Sequence, residues 1–214
     1  MTPPLSRLPD DPRVALLVID MQYDFMPGGA LAVAEGDALV PIINRLGAQF
    51  RNVVLAQDWH PRGHVSFASS HAGRAPFITL PYGTQTLWPD HCVQGSHGAQ
   101  LHAGLDIPHA QLTLRKGCNP GIDSYSAFVE ADRATRTGLA GYLSERGIDS
   151  VYVVGLALDF CVAWTALDAR SAGFNTWVIA DACKAIDLNG SLDQAWKDMA
   201  LAGVSRIDSA ALTS

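Results

Sequence analysis

Three side chains of different chemistry stand at the ends of short apolar runs that are typical of buried strands. Asp20 and Lys116 close two of these runs, and Cys161 follows a third. In a parallel α/β sheet the C-terminal ends of the strands form one rim, where ligands bind. The sequence therefore predicts that a carboxylate, an ammonium and a thiol converge in one crevice, as acyl transfer at a carbonyl carbon requires.

Each of these residues has a role in such a reaction. We predict that Cys161 is the nucleophile and that a helix beginning there lowers the pKa of its thiol. Asp20 would take the thiol proton and return it to a leaving amine, and Lys116 would favour the thiolate. Backbone N–H groups of Ala157 and Cys161 are placed to stabilise charge on the carbonyl oxygen. One of these residues alone would have an ordinary structural explanation, whereas three matched strand ends favour a catalytic triad.

A second group of side chains indicates a metal site. Asp58 and His60 are alternate residues at the end of another predicted strand, and His64 and His91 follow in the next loop. Carboxylate oxygen and imidazole nitrogen suit one divalent ion such as Zn, Fe or Mn. The other histidines of this loop have no spacing that singles them out.

Alternating strand and helix patterns must position these residues. Continuous apolar runs predict strands near 14–19, 53–56, 111–114, 151–156, 176–180 and 204–207. Helical periodicity falls at 37–50, 137–145, 159–171 and 191–202, with Asp159 and Ser191 as candidate N-caps. This order predicts an α/β fold of three layers, α/β/α, around a central parallel sheet of about six strands.

Length and composition bound the possibilities further. The 214 residues suit a single domain spanning 1–214, with a long irregular insertion at about 59–110 that we interpret as an active-site loop. A net charge of −6 without a basic cluster argues against nucleic acid as a partner. No apolar stretch approaches the roughly 20 residues of a membrane span. The four cysteines form no CxxC pair, so we expect free thiols and a cytoplasmic location.

The chain also resembles a known family, the bacterial nicotinamidases of the isochorismatase-like cysteine hydrolase superfamily. The resemblance runs from about Val14 to Val204. It is carried, in this order, by residues 18–25 (VIDMQYDF), 27–33 (PGGALAV), 57–61 (QDWHP), 64–68 (HVSFA), 87–93 (LWPDHCV), 116–117 (KG), 123–128 (DSYSAF) and 155–162 (GLALDFCV).

This resemblance implies hydrolysis of nicotinamide to nicotinate and ammonia in NAD salvage, with pyrazinamide as an alternative substrate. It assigns the catalytic triad, the metal ligands and the aromatic walls of the substrate pocket. By motif position these are Asp20, Lys116 and Cys161, then Asp58, His60 and His91, then Phe25, Trp88 and Tyr125. The resemblance also implies a metal near the pyridine nitrogen and a cis peptide at Leu156–Ala157.

Some questions stay open at this point. His64, Ser66 or water could complete the metal shell, and the chain could form a homo-oligomer. Leu158 and Phe160 replace residues that are commonly polar in the family. A related cysteine amidase acting on a carbamoyl or ureido substrate is the main alternative, but it would not need the metal ligands. A non-catalytic metal-binding or thiol-sensing protein would leave Asp20 and Lys116 without roles.

Overall fold

The computed structural model describes residues 9–80 and 85–212, and within them strands and α-helices alternate except between the second and third strands. The strands are β1 Val14–Ile19, β2 Asn52–Asp58, β3 Leu112–Lys116, β4 Ser150–Gly155, β5 Asn175–Cys183 and β6 Ser205–Ile207. The α-helices are α1 Val40–Gly47, α2 Leu139–Glu145, α3 Ala163–Ser171 and α4 Ser191–Leu201. A 3₁₀ turn, Asp37–Leu39, precedes α1, and a π-helical turn, Leu158–Val162, precedes α3.

The strands form one sheet in the order β3-β2-β1-β4-β5-β6, and every neighbouring pair is parallel. The chain runs outward from β1 through β2 to β3, and then continues from β4 on the other side of β1. The two directions part between β1 and β4, which is where open α/β sheets leave a crevice at their C-terminal edge. The predicted six-stranded parallel sheet is confirmed.

Helices cover both faces of the sheet. Alternate residues of β1 point to opposite faces, so that Leu16 and Val18 join one core while Leu17 and Ile19 join the other. The first core is closed by α1, and the second is closed by α2, α3 and α4. Burial on both faces explains why the central strands are apolar throughout. The three-layer α/β/α architecture is confirmed.

Several predicted boundaries differ from the structure. β2 and β3 extend to Asp58 and Lys116, so these two residues are the last of their strands. The helix expected to reach Phe50 ends at Gly47, after which the backbone closes two short turns. β5 is longer than predicted, because its pairing with β4 shifts register between Val153 and Gly155.

The two predicted N-caps are wrong. Asp159 lies inside the π-helical turn, and Ser191 is the first residue of α4, whose N-cap is Gly190. Neither side chain caps a helix, because the Ser191 hydroxyl donates a hydrogen bond to the Asp159 carboxylate. Polar residues at helix starts favour capping only when no stronger partner is near.

The stretch between β2 and β3 is irregular in the parts that the structure describes, 59–80 and 85–110. It contains one 3₁₀ turn, Ala68–Ser70, and isolated bridges such as that between His60 and Val93. These contacts fold the loop back over the C-terminal edge of the sheet. Across the described residues, no helix combines the length and the apolar character needed to cross a membrane.

Candidate active site

The C-terminal ends of four adjacent strands bring the chemically active residues together. Asp20 follows β1, Cys161 follows β4, and Asp58 and Lys116 are direct partners at the ends of β2 and β3. Asp20 has a φ of 51°, and this left-handed turn takes the chain out of the sheet. The convergence predicted from the strand ends is therefore present.

Lys116 stands at the centre of this group. Its Nζ atom lies 2.9 Å from Asp20 Oδ2 and 3.5 Å from Cys161 Sγ, and it also contacts Asp58 Oδ1. All four side chains are buried. Neither oxygen of Asp20 has a well-aligned hydrogen-bond donor among the described residues, although the ammonium is within ion-pair distance. The Asp20 carboxylate is thus held by charge and remains able to accept a proton.

The charges of the group are strongly coupled. Burial opposes the charge on Lys116, but its anionic neighbours outweigh burial and raise its pKa well above the usual range. Burial raises the pKa of Asp20 to about 7, with Lys116 opposing the shift and Asp58 adding to it. The pKa of Asp20 therefore lies near neutrality, the range that suits a general base.

The expected lowering of the Cys161 pKa is wrong. Burial raises the pKa of this thiol well above its usual range, and Asp20 and Asp58 add to the shift while Lys116 opposes it. The thiol also lies in the π-helical turn ahead of α3. Cys161 therefore rests as a neutral thiol, and it would need a base to remove its proton before it could act as a nucleophile.

The turn before the nucleophile has an unusual backbone. The peptide Leu156–Ala157 is cis, as expected. The N–H groups of Phe160 and Val162 both donate to the carbonyl oxygen of Ala157, at 3.1 Å each. Ala157 and Cys161 line the same cavity. Their assignment as the oxyanion hole stays a prediction.

A second cluster adjoins the first through Asp58. Its Oδ2 atom lies 3.4 Å from His60 Nε2 and 3.7 Å from His91 Nε2. One donor atom from each of the three residues falls within 4.8 Å of the other two. A carboxylate oxygen and two imidazole nitrogens at this spacing form a donor set for a divalent metal ion.

Hydrogen bonds fix which nitrogen of each imidazole faces this point. His60 Nδ1 donates to the carbonyl oxygen of Gly117 at 3.0 Å, and His91 Nδ1 donates to that of Pro89 at 2.8 Å. A carbonyl oxygen only accepts, so Nδ1 of each ring carries a proton, and in the neutral ring the Nε2 lone pair is the one that faces Asp58. Metal-binding histidines are oriented in this way, and the residues therefore fit one divalent ion.

His64 and Ser66 are engaged elsewhere in this conformation. His64 Nε2 donates to the carbonyl oxygen of Ile122 at 3.0 Å, and His64 Nδ1 lies 2.7 Å from the Ser66 hydroxyl, which donates to it. Burial lowers the pKa of His64 to about 4, so the ring is neutral. Both ring nitrogens of His64 therefore have partners other than the three-residue cluster in this conformation.

Gly117 supports the metal site in a way that the sequence did not reveal. A Cβ at this position would lie 2.4 Å from His60 Cε1, and the residue has a φ of 67°. Its N–H donates to the buried Glu130 carboxylate at 3.3 Å. Gly117 thus packs against the ring of His60, and its carbonyl oxygen accepts the hydrogen bond from His60 Nδ1.

Cys161 and the three residues of the second cluster line one cavity. The three aromatic residues predicted for the pocket, Phe25, Trp88 and Tyr125, all line it. Trp88 Nε1 donates to the Tyr125 hydroxyl at 3.0 Å, which fixes the two rings relative to each other. Flat aromatic walls of this kind suit a flat ring.

The cavity has further walls that sequence reasoning did not assign. Phe160 meets Trp88 edge to face at 4.9 Å between ring centroids. Its position next to Cys161 was the one signal that could have revealed this role. The remaining lining residues are Leu31, Asp123, Ser124 and Ile186, and of these only Ile186 lies outside the segments that carry the family resemblance.

Comparison with known proteins agrees with this architecture. The profile of the isochorismatase domain matches residues 14–211. The chain belongs to the isochorismatase family. Within that family, the nicotinamidase of Acinetobacter baylyi is 63% identical over 197 residues, which cover 91% of this chain and 92% of the relative.

Solved isochorismatase-family structures superpose closely on this chain. A nicotinamidase and pyrazinamidase of Acinetobacter baumanii is 62% identical with a TM-score of 0.91, covering 94% of this chain and 98% of the other. A pyrazinamidase of Pyrococcus horikoshii in complex with zinc is 34% identical with a TM-score of 0.76, covering 92% and 99%.

Proposed function

We propose that this protein is a metal-dependent amidase that hydrolyses nicotinamide to nicotinate and ammonia and also accepts pyrazinamide. One observation carries the proposal. Cys161, whose thiol lies beside Lys116, lines the same aromatic cavity as Asp58, His60 and His91. The names and high identity of the relatives support the same activity.

The reaction follows from the positions of the three catalytic candidates. The Cys161 sulfur attacks the amide carbon while Asp20 takes the thiol proton. The C–N bond then breaks, and Asp20 returns the proton to the departing ammonia. Water hydrolyses the resulting thioester, which releases nicotinate and restores the thiol. Lys116 stabilises the anionic sulfur from 3.5 Å.

The cavity walls hold the substrate for this attack. Trp88 and Tyr125 offer flat surfaces for the pyridine ring, and Phe25 closes the cavity beside His91 at 5.6 Å between ring centroids. Backbone N–H groups of Ala157 and Cys161 would receive the charge that develops on the carbonyl oxygen.

Asp58, His60 and His91 would hold one divalent ion. When bound, the ion supplies a Lewis-acid partner for the ring nitrogen of the substrate. Zn, Fe and Mn all accept this donor set, and metal analysis of the purified protein identifies the one used. Asp58 has a second task, because its other carboxylate oxygen contacts Lys116 and so links the two clusters.

Ammonia release from nicotinamide tests the proposal. We expect turnover by the metal-loaded protein, a large loss with chelator, and none with Cys161→Ala. The matched control is Cys118→Ala, which removes an exposed thiol near the site and should keep activity within twofold. Turnover of a carbamoyl or ureido substrate that exceeds turnover of nicotinamide would favour the related amidase instead.

We also infer that the chain forms a single domain and works in the cytoplasm. All four cysteines are free, which suits a reducing compartment. The expected partner is the small-molecule substrate, with neither nucleic acid nor membrane involved. Light scattering of the purified protein measures whether it assembles into a homo-oligomer.

A further inference from the structure

The loop after β5, residues 184–190, forms one wall of the substrate cavity. Its residue Ile186 lines the cavity together with Cys161 and packs against the core that contains Leu31. Two residues of this loop, Asp187 and Asn189, each have a φ of 54°, a left-handed conformation that Asp and Asn adopt more readily than other residues with a side chain. The position of Ile186 in the cavity wall depends on the contacts that hold this loop to the rest of the fold.

The buried attachment of this loop is the side chain of Asp159, which lies two residues before Cys161. Its carboxylate accepts hydrogen bonds from the backbone N–H groups of Ile186 at 3.0 Å and Asp187 at 2.8 Å, and from the Ser191 hydroxyl. Asp159 is buried. Hydrogen bonds to a buried carboxylate are stronger than bonds between neutral groups, so this side chain ties the loop firmly to the turn that carries the nucleophile.

The surface attachment of this loop is an ion pair between Lys184 and Glu35. Lys184 Nζ lies 2.6 Å from Glu35 Oε2, and the two side chains are 37% and 73% exposed. Exposed ion pairs contribute little to holding a structure. The backbone N–H of Leu158 also donates to the carbonyl oxygen of Lys184 at 2.8 Å. Of the two side-chain attachments, the one through Asp159 is strong and the one through Glu35 is weak, and they can be removed separately.

We propose that Asp159 is a positioning residue that holds Ile186 in the cavity wall and so makes the site select flat, unsubstituted ring amides. One short segment carries both the thiol and the anchor of the opposing wall. The space between Cys161 and Ile186 is therefore set by Asp159. If Ile186 moves outward, the substrate ring can shift relative to the thiol, and the cavity gains room for substituents on that ring. This inference rests on the proposed amidase function.

The test compares nicotinamide with a series of ring-methylated nicotinamides. Asp159→Asn should raise the KM for nicotinamide about tenfold, keep kcat within about threefold, and lower the preference for nicotinamide over the methylated amides about tenfold. Ile186→Ala should also lower the preference for nicotinamide over the methylated amides, because it truncates the side chain that lines the cavity. Glu35→Gln is the matched control, because it removes the surface ion pair with Lys184, and it should leave kcat and KM for nicotinamide within twofold.

A double variant separates positioning from general destabilisation. If Asp159 acts through Ile186, Asp159→Asn combined with Ile186→Ala should lose no more preference than the larger single change. Fully additive losses, or a drop in kcat or Tm with the preference unchanged, would overturn the proposal. Should Asp159→Asn fail to fold, Ser191→Ala removes one of the three hydrogen bonds, and an unchanged preference there would also overturn it. A parent enzyme without activity on nicotinamide would overturn the proposed function itself.

Discussion

The ammonium of Lys116 lies 2.9 Å from the carboxylate of Asp20, and both groups are fully buried. Buried opposite charges at this distance depend on each other, because removing one leaves the other unpaired. The same ammonium is 3.5 Å from the Cys161 sulfur. The three side chains therefore form one electrostatically coupled unit.

This unit predicts non-additive effects of substitution. Lys116→Ala and Asp20→Asn should each lower kcat by about 10³-fold or more, because either change disables proton transfer from Cys161. The double variant should lose little more than the worse single variant. Steady-state kinetics on metal-loaded protein measures this, with circular dichroism as the folding control. Losses that multiply fully would show that the two residues act independently.

The arrangement of these residues was predictable because it depends on local patterns. Each apolar run is long enough to indicate a buried strand, and parallel strands bring their ends together whatever lies between. Asp20, Asp58 and Lys116 could therefore be placed before the structure was known.

Other features depend on contacts between residues far apart in the chain. The hydrogen bond from Ser191 to Asp159 joins residues 32 positions apart, so two apparent helix caps are in fact partners. The raised pKa of Cys161 comes from burial and from carboxylates on other strands. Ile186 carries no local signal, since its place in the cavity wall is set by Asp159.

The pKa of Asp20 predicts an acid limit to activity. Burial raises this pKa to about 7, and only the ionised carboxylate can take the thiol proton. As pH falls below that value, the ionised fraction and therefore kcat/KM should fall about tenfold per pH unit. The measurement is a pH profile of kcat/KM, with bound metal assayed at each pH. A constant kcat/KM down to pH 5 would contradict the assignment of Asp20 as the base.

The contact between Gly117 and His60 predicts that a single methyl group weakens metal binding. In Gly117→Ala the new Cβ would lie 2.4 Å from His60 Cε1, so the ring must move. Disturbing the support of a ligand typically costs about 10–100-fold in metal affinity. Chelator competition measures the affinity directly. Gly121→Ala is the matched control, because its Cβ would come no closer than 3.8 Å to a described neighbour, and equal affinities in the two variants would refute the contact's importance.

The donor set at Asp58, His60 and His91 predicts that the metal orients the substrate, since Cys161 already provides the nucleophile. Removing the metal, or making His91→Ala, should lower kcat/KM for nicotinamide about 100-fold, because a small misplacement of the amide carbon from the thiol is costly. Benzamide lacks the ring nitrogen, so it should be a poor substrate of the metal-loaded enzyme and should lose far less on metal removal. The comparison needs kinetics of both amides on the loaded and chelated protein, with thermal unfolding to confirm that the fold is retained. Equal losses for the two amides would mean that the metal acts on the carbonyl group or on water, and would leave the roles of Asp20, Lys116 and Cys161 unaffected.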